Sequence, residues 1–465
     1  MNRKIYKIVI LLSVSALIFI LKTDNSIGCG WFPEPDSYYS IFVPKLFKLP
    51  QLKPFFLTDY KFFPYDTSGS LGERTDNLKA WQKHFQNIPS IADINKIIYS
   101  TSKQDLEKIK NYLSTGNDTF SDNRYYNNSL ISYWKKYGYS GDIDYLLYIR
   151  KCEPYVKVTY DTWNYVKRDT AGMSALIKEG ENKYEECKNN YLRDRYAFQV
   201  IRLLHYSYHY NECISYYDKF FGKSKNSLMK YWALEHKAGC LYHLGQAAQA
   251  NYLFAKIFQN CLSRRIACTQ SFGCSNDSVF NATLALCKNA DEKTTVILLY
   301  GYDGDNVNVP AMKKIYALDP KSDYLELLLE RGIVKMEREI LPTVYENLWQ
   351  YEYNFNNYIS EPYDQFDSLV IKIAGENKTA HPFIWDFAAG YISTLIHNNK
   401  AAKIFLTEAW KISPKENPAY INSIKIVEVI NKVDGLKKMN SITEERIIKG
   451  LNWLRNTKSL DTLKS

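Results

Sequence analysis

Apolar residues recur with helical spacing along most of this 465-residue chain. From about residue 70 onward they return every three or four positions, which places them on one face of a helix, whereas the alternation typical of strands is scarce. Capping signals accompany this pattern: Ser102 stands three residues before Asp105 and opens a predicted helix that runs to Tyr112. The sequence therefore predicts an all-α protein.

The first 28 residues have the pattern of an export signal. Basic residues near the start precede an apolar run from Ile8 to Leu21, and a short polar stretch then ends at Gly28. This run of 14 residues is shorter than the roughly 20 that a helix needs to cross a bilayer. A removed signal is therefore favoured over an uncleaved anchor, which stays open as an alternative.

Cys29 is the candidate lipidation site. Gly28-Cys29 resembles the end of a bacterial lipobox, which implies an exported protein attached to the outer membrane through a lipid on Cys29. The resemblance leaves open whether the protein faces the periplasm or the outside. Ser26 stands where lipoboxes usually carry Leu, Val or Ile. Cleavage without lipid, with Cys29 as an unmodified first residue, is therefore the alternative.

Residues 29–70 form a predicted N-terminal segment of different character. It is rich in proline and aromatic residues, which include Trp31, Phe32, Pro33, Pro35, Tyr38, Tyr39, Phe42, Pro44, Pro50 and Pro54. Proline has no backbone N–H and breaks helices. We therefore expect an extended strap that packs along the helical body.

Behind the strap we expect an N-terminal helical region over residues 71–190, helical repeats over 191–412 and C-terminal helices over 413–465. Three predicted helix pairs share one spacing of two mostly small residues and one aromatic residue, at offsets 0, 12 and 16. The sets are Ala238/Ala250/Phe254, Ala389/Ala401/Phe405 and Ile201/Cys213/Tyr217. Small side chains let two antiparallel helices approach closely, and the aromatic residue one turn later fills the groove against the next pair.

This spacing resembles the tetratricopeptide repeat. The resemblance implies an irregular α-solenoid of antiparallel helix pairs, because Cys213 to Ala250 spans 37 residues, more than the family's repeat of about 34. Six stretches look like a family of exported helical-repeat proteins of Bacteroidetes and some other Gram-negative bacteria that brings no known activity. They are residues 29–36, 144–156, 195–204, 231–239, 263–265 and 312–320. That likeness implies an envelope location and a repeat fold.

Charge and motifs exclude several classes of function. The formal net charge is +10, but basic and acidic residues are interspersed and form no long basic run, so nucleic-acid binding is not indicated. The chain has no G-x-S-x-G elbow, no phosphate-binding P-loop and no G-x-G-x-x-G turn. We therefore expect a non-catalytic protein without a cofactor.

Histidines and cysteines give only weak metal signals. His205 and His209 are one helical turn apart, and His236 with His243 could complete a cluster, but hydrogen-bonded or solvent-facing histidines are the commoner arrangement. We therefore predict no metal site. Eight cysteines follow Cys29. Disulfides are possible in an exported protein, while free thiols that pack between helices are the favoured interpretation.

The stretch from residue 193 to residue 210 is the candidate partner-binding patch, through Arg195, Arg202, Tyr206 and Tyr210. Arginine and tyrosine dominate binding hot spots, although equally spaced aromatic residues also serve as core between helices. We expect an envelope lipoprotein that acts as a helical-repeat scaffold for another envelope protein. The alternative is a surface glycan-binding lipoprotein similar to the SusD class, with sugars stacked on Trp31, Trp81, Trp163, Trp232 and Trp385. A compact body centred on a sheet, or a buried polar pocket with converging ionisable groups, would overturn the scaffold hypothesis.

Overall fold

Twenty α-helices follow one another along the part of the chain that the structure describes, and no strand lies in that part. The structure is a computed structural model, and it describes residues 41–42, 46–57, 72–116, 125, 127–139, 141–156, 168–274, 276–302, 307–340, 361–436 and 438–456. The helices are α1 (Glu73–His84), α2 (Ile91–Asn95), α3 (Lys103–Thr115), α4 (Ser129–Tyr137), α5 (Asp142–Val156), α6 (Thr170–Glu186), α7 (Asn190–Tyr206), α8 (Tyr210–Phe221), α9 (Leu228–His243), α10 (Ala247–Asn260), α11 (Arg265–Ser271), α12 (Asp277–Ala285), α13 (Ala290–Tyr302), α14 (Val309–Leu318), α15 (Asp323–Ile340), α16 (Glu361–Glu376), α17 (Pro382–Leu395), α18 (Asn399–Ile412), α19 (Pro418–Asp434) and α20 (Ser441–Asn456). The prediction of an all-α protein is confirmed.

The chain divides into two units, of which one consists of residues Met1–Tyr39 and Pro342–Glu352 and lies outside the described residues. The predicted signal over residues 1–28 and the lipidation candidate Cys29 belong to that undescribed part. The other unit, Ser40–Leu341 with Tyr353–Ser465, contains every helix named above. In the described ranges, no helix combines the length and the apolar character that crossing a bilayer requires.

Polar side chains fix where many of the helices begin. The Ser102 hydroxyl accepts a hydrogen bond of 3.1 Å from the Asp105 amide at the start of α3, as the sequence predicts. The helix continues past Tyr112 and ends before Gly116, whose φ of 69° lies in the left-handed region that glycine adopts without strain. Asn189 caps α7 in the same way by accepting from two amides of its first turn.

Consecutive helices pack in antiparallel-like pairs, most extensively α6 with α7, α9 with α10 and α17 with α18. Helices two apart in the sequence also contact each other: α5 contacts α7, and α7 contacts α9. Small residues allow the close approach: a Cβ added at Gly180 of α6 would lie only 2.8 Å from Val200 Cγ2 of α7. Ala238, Ala250 and Ala389 of the predicted spacing are fully buried, whereas Ala401 is only half-buried.

Helix α7 lies between two hydrophobic cores. The first core involves α1 to α7 and includes Leu192 and Leu203, which are fully buried. The second core runs from α7 to α19 and includes Ile201 and Leu204 of the same helix. Because α7 buries apolar side chains on two sides, its position is determined by both halves of the fold.

Residues 46–57 belong to the second core. Leu46, Leu52 and Phe55 are at most 2% exposed. Where the sequence predicts an extended strap, residues Pro50–Phe55 form a 3₁₀ helix. Pro50 at its first position favours this, because its ring fixes φ near −65°, which suits a 3₁₀ helix, and the first helical position needs no N–H donor.

The backbone of this segment is held by buried charged side chains from distant helices. On α15, the Arg331 guanidinium donates to the Phe55 carbonyl over 3.0 Å, and the Glu330 carboxylate accepts from the Leu57 amide over 3.1 Å. On α11, Arg265 donates to the Gln51 carbonyl over 2.9 Å. Buried backbone groups outside regular structure need such partners, so these charges make the segment part of the folded body.

We expect Phe55→Ala to lower the free energy of unfolding by about 3–5 kcal/mol, because it removes a buried ring and leaves a cavity. The ring centroid of Phe55 lies 5.4 Å from that of Phe258 and 5.7 Å from that of Tyr302. Thermal and denaturant unfolding measure the loss, and limited trypsin digestion reports release of the segment. Lys48→Ala, at an exposed position of the same segment, is the control. Equal stability of the two variants would contradict the packing of the strap.

Candidate functional site

Five arginines and three glutamates line one cavity of about 450 Å³ in the described part of the chain. Ligand pockets typically measure about 300–1,000 Å³. The lining comes from α1, α5, α7, α9, a π-helical turn (Lys96–Ser100) and a 3₁₀ helix (Leu262–Arg264). The charged residues are Arg74, Arg150, Arg195, Arg202, Arg264, Glu73, Glu153 and Glu235. We refer to this space as the arginine cavity.

Helix α7 contributes a row of four polar side chains to the cavity. Arg195, Gln199, Arg202 and Tyr206 follow one another at intervals of four, three and four residues and line the arginine cavity. Residues three or four apart lie on the same helical face. Because the two cores occupy the other sides of α7, this polar row faces the space between α5, α9 and α1.

The structure brings three of the four predicted partner-binding residues together in the arginine cavity, namely Arg195, Arg202 and Tyr206. Tyr210 is not among the described lining residues. It begins α8, and its ring stacks on His243 with centroids 4.8 Å apart. The reason is the turn between the two helices, where Tyr208 has a left-handed φ of 67° and the chain changes direction.

Arg195 is a buried cation without a carboxylate partner among the described residues. Its side chain is 3% exposed, and its guanidinium lies 4.3 Å above the ring of Trp81. One of its Nη atoms donates to Asn77 Oδ1 over 2.8 Å and to the Tyr191 hydroxyl over 2.5 Å. These partners are neutral, so much of the cost of burying the positive charge is not offset.

Arg264 lies between two carboxylates. Its Nη1 atom is 3.1 Å from Glu73 Oε1 and 3.1 Å from Glu235 Oε2, and its guanidinium stacks over the Trp232 ring at 4.3 Å. Burial raises the pKa of Glu235, and the positive charge of Arg264 opposes that rise. This arrangement links α1, α9 and the 3₁₀ helix at one corner of the cavity.

The other three arginines differ in how far their charges are balanced. Arg150 donates to Glu153 over 2.5 Å and to the Ile98 carbonyl over 2.5 Å, so it is well paired. Arg74 and Arg202 form no ion pair with a described residue. The arginine cavity therefore carries more positive charge than its own carboxylates balance.

Three buried N–H donors on residues of the arginine cavity find no acceptor among the described residues. They are Arg195 Nε, Arg264 Nε and Trp232 Nε1. A buried donor without an acceptor costs roughly 1–3 kcal/mol. Buried polar groups usually find a partner, so three such donors on one lining call for an explanation. Glu235 Oε2 of the same lining, and Arg193 Nε and Trp385 Nε1 elsewhere, likewise have no hydrogen-bond partner among the described residues.

One of the four candidate histidines, His236, lines the arginine cavity, and His205 and His243 form a group with it. His205 Nδ1 is 2.8 Å from His236 Nδ1, so one ring donates and the other accepts, and the ring centroids of His205 and His243 are 6.0 Å apart. Burial, assisted by His243 and Arg168, lowers the pKa of His205 to about 4. Burial also lowers the pKa of His236 well below its usual value. The pair is therefore neutral near pH 7.

His209 does not join this group, because its Nδ1 is 2.9 Å from the Ser207 hydroxyl. In the described ranges, no three His, Cys, Asp or Glu side chains are placed to hold a metal ion. All eight cysteines that follow Cys29 are free thiols, and five of them are buried.

Two of the five tryptophans expected to stack on sugars line the arginine cavity. The guanidinium of Arg195 covers a face of Trp81, and that of Arg264 covers a face of Trp232. Trp385 is fully buried in the second core. Trp31 and Trp163 lie outside the described residues.

Sequence reasoning missed most of the lining outside α7. Glu73 and Arg74 give no local signal, and Glu235 and Arg264 lie only within the general stretches 231–239 and 263–265. These residues come together through contacts across large sequence separations, such as the 118 residues between Arg195 and Asn77. No short motif encodes such a set.

No family model, curated protein or solved structure matches this chain. The likeness to tetratricopeptide repeats and to the Bacteroidetes family therefore stays a prediction. The described residues show an all-helical protein with 20 α-helices in sequential pairs.

We expect the stability that depends on His205 to be lost in acid. The folded-state pKa of about 4 lies below the unfolded value near 6.5, so the unfolded chain binds the proton first. Stability is therefore full above pH 6.5 and falls as the pH drops toward 4. When the pH drops from 7.5 to 5, the free energy of unfolding should fall by roughly 2 kcal/mol more in the wild type than in His205→Asn.

Urea unfolding at a series of pH values measures this difference. The control is His397→Asn, which removes a histidine whose side chain is 44% exposed and lies 2.7 Å from the Asp434 carboxylate. Parallel pH profiles of wild type and His205→Asn would show that His205 is not buried in its neutral form.

Proposed function

We propose that this protein is an exported, non-catalytic scaffold that binds a segment of another envelope protein in the arginine cavity. In this proposal its helix pairs form an irregular tetratricopeptide-like α-solenoid, and a lipid on Cys29 attaches it to the outer membrane. The observation that carries the proposal is that the alternate helices α5, α7 and α9 all contribute to one arginine-lined cavity. In stacked repeats, equivalent helices of successive pairs line one continuous binding surface.

The pattern of helix contacts supports the solenoid. Successive pairs pack against each other, and contacts between helices two apart, α5 with α7 and α7 with α9, are those that stacked pairs make. The row of Arg195, Arg202 and Tyr206 then lies on the inner helix of one pair. A binding groove in such a protein needs no catalytic residues.

The cavity does bring ionisable groups together, and their pairing favours binding over catalysis. Glu73 and Glu235 each lie 3.1 Å from Arg264, and Glu153 lies 2.5 Å from Arg150, so all three carboxylates act as counter-charges. Arginine stays protonated and cannot exchange a proton with a substrate. None of the described lining residues is Ser, Thr, Cys or Lys, which are four of the residue types that act as covalent nucleophiles.

The tryptophan arrangement favours a protein partner over a neutral glycan. Sugars stack on the open faces of aromatic rings, but guanidinium groups cover Trp81 and Trp232 at 4.3 Å in each case. An arginine stacked on an aromatic ring instead presents its N–H edge to a polar partner. Arginine and aromatic residues together are typical of protein–protein hot spots.

We expect Arg202→Gln to reduce recovery of a protein partner at least about tenfold, because hot-spot arginines contribute more than about 1–2 kcal/mol. The measurement is affinity capture of tagged protein from detergent-extracted envelope, with quantitative mass spectrometry. Arg193→Gln is the matched control, since Arg193 is also on α7 but stacks on Tyr184 at 4.6 Å and does not line the cavity. Capture that fails in the wild type, together with saturable polysaccharide binding, would favour the glycan-binding alternative.

We expect Cys29→Ser to release the protein from membranes, because the lipid on Cys29 would be its attachment. Fractionation of the envelope followed by immunoblotting measures the distribution. The mass of the mature N-terminus distinguishes cleavage with a lipid on Cys29 from cleavage without lipid. A Cys29→Ser protein that stays membrane-bound would reject the lipid anchor without affecting the binding proposal.

A further inference from the structure

We infer that the arginine cavity recognises an oxyanion, a carboxylate or a phosphate, on the segment that it receives. This inference rests on the proposed function and names the chemical group that the site selects. It draws on three features of the described lining: unbalanced charge, donors without acceptors, and guanidinium groups fixed in place by aromatic rings.

The charge of the cavity calls for an anion. Arg74, Arg195 and Arg202 form no ion pair with a described residue, and Arg195 is 3% exposed. A buried cation without a counter-charge is strongly destabilising relative to a paired one. An anion placed among these arginines supplies the missing charge, so binding recovers free energy that the empty fold has lost.

The donors without acceptors favour an oxyanion over a halide-like point charge. Arg195 Nε is on α7, Trp232 Nε1 on α9 and Arg264 Nε on the 3₁₀ helix, so three elements of the lining carry donors that are enclosed by protein and lack an acceptor among the described residues. A carboxylate offers about four lone-pair positions and a phosphate offers more, so either group can accept several such bonds at once. Bonds from guanidinium to an oxyanion are roughly twice as strong as neutral ones.

The arginines are already held in a binding geometry. Arg195 lies 4.3 Å above Trp81, Arg264 lies 4.3 Å above Trp232, and Arg74 lies 4.6 Å above a neighbouring tyrosine ring. Stacking restricts rotation of the long side chains, so less conformational entropy is lost when the anion binds. The site therefore needs little rearrangement.

The apolar part of the lining indicates which kind of side chain lies next to the oxyanion in the ligand. Ile149, Phe198 and Met229 line the same cavity between the charged groups. A ligand that carries an apolar side chain beside its acidic group would cover these surfaces and exclude water, which strengthens the ionic contacts. For a protein partner, the matching sequence is an acidic residue or a terminal carboxylate next to an apolar residue.

The test is a titration of the full mature chain at constant ionic strength set with chloride. Tryptophan fluorescence and calorimetry measure the binding. Inorganic phosphate and acetylated hexaglutamate are the probes, and acetylated hexalysine is the charge-reversed control. We expect saturable binding of an oxyanion probe and none of hexalysine. Tighter binding of hexaglutamate identifies a carboxylate as the recognised group, and binding of phosphate alone identifies a phosphate.

Two variants and one control locate the binding. Arg202→Gln should weaken binding at least tenfold, and Trp232→Phe, which keeps a ring but removes the N–H, should weaken it about fivefold. Arg193→Gln should bind like the wild type. If Trp232→Phe does not fold, the result for Arg202→Gln alone decides whether the probe binds in the arginine cavity.

Absence of saturable binding by either probe, or equal loss in all three variants, would overturn the inference. Partner capture that still depends on Arg202 would then leave the proposed function standing. The opposite result, oxyanion binding without any captured protein, would retain the inference and reject the protein scaffold.

Discussion

The fold depends on helix α7 packing against two hydrophobic cores at once. Leu192 and Leu203 belong to one core and Ile201 and Leu204 to the other, so rotation of the helix about its axis would expose apolar surface on both sides. The remaining side must carry the polar row that begins at Arg195. The position of the cavity is therefore a consequence of how α7 satisfies its two cores.

Burying arginine in the lining of a cavity lowers the stability of the fold, and two features of the structure reduce that loss. Aromatic rings cover the guanidinium faces of Arg195 and Arg264, while neutral or acidic side chains take some of their N–H groups. The π faces stabilise the cations without neutralising them. The charge therefore stays available to a partner, at a cost in stability.

Sequence periodicity predicted the helical class and the cap at Ser102, because both depend on residues within a few positions of each other. Arg195, Arg202 and Tyr206 line one cavity because a continuous helix joins them. Tyr210 lies beyond a turn whose geometry no spacing encodes, so it stands apart from the other three. The partners of Arg264 could not be predicted, because Glu73 comes from a helix almost two hundred residues earlier. The solenoid and the membrane anchor remain predictions.

The hydrogen bonds of residues 46–57 to α15 impose an order on folding. The bonded residues are 273 and 276 positions apart, so the segment is synthesised long before Glu330 and Arg331 exist. Until then its apolar side chains have no native core to enter. Completion of the second core is consequently a late, non-local step, of the kind that slows folding and exposes a chain to aggregation. The N-terminal segment therefore stays without its native partners through most of the synthesis of the chain.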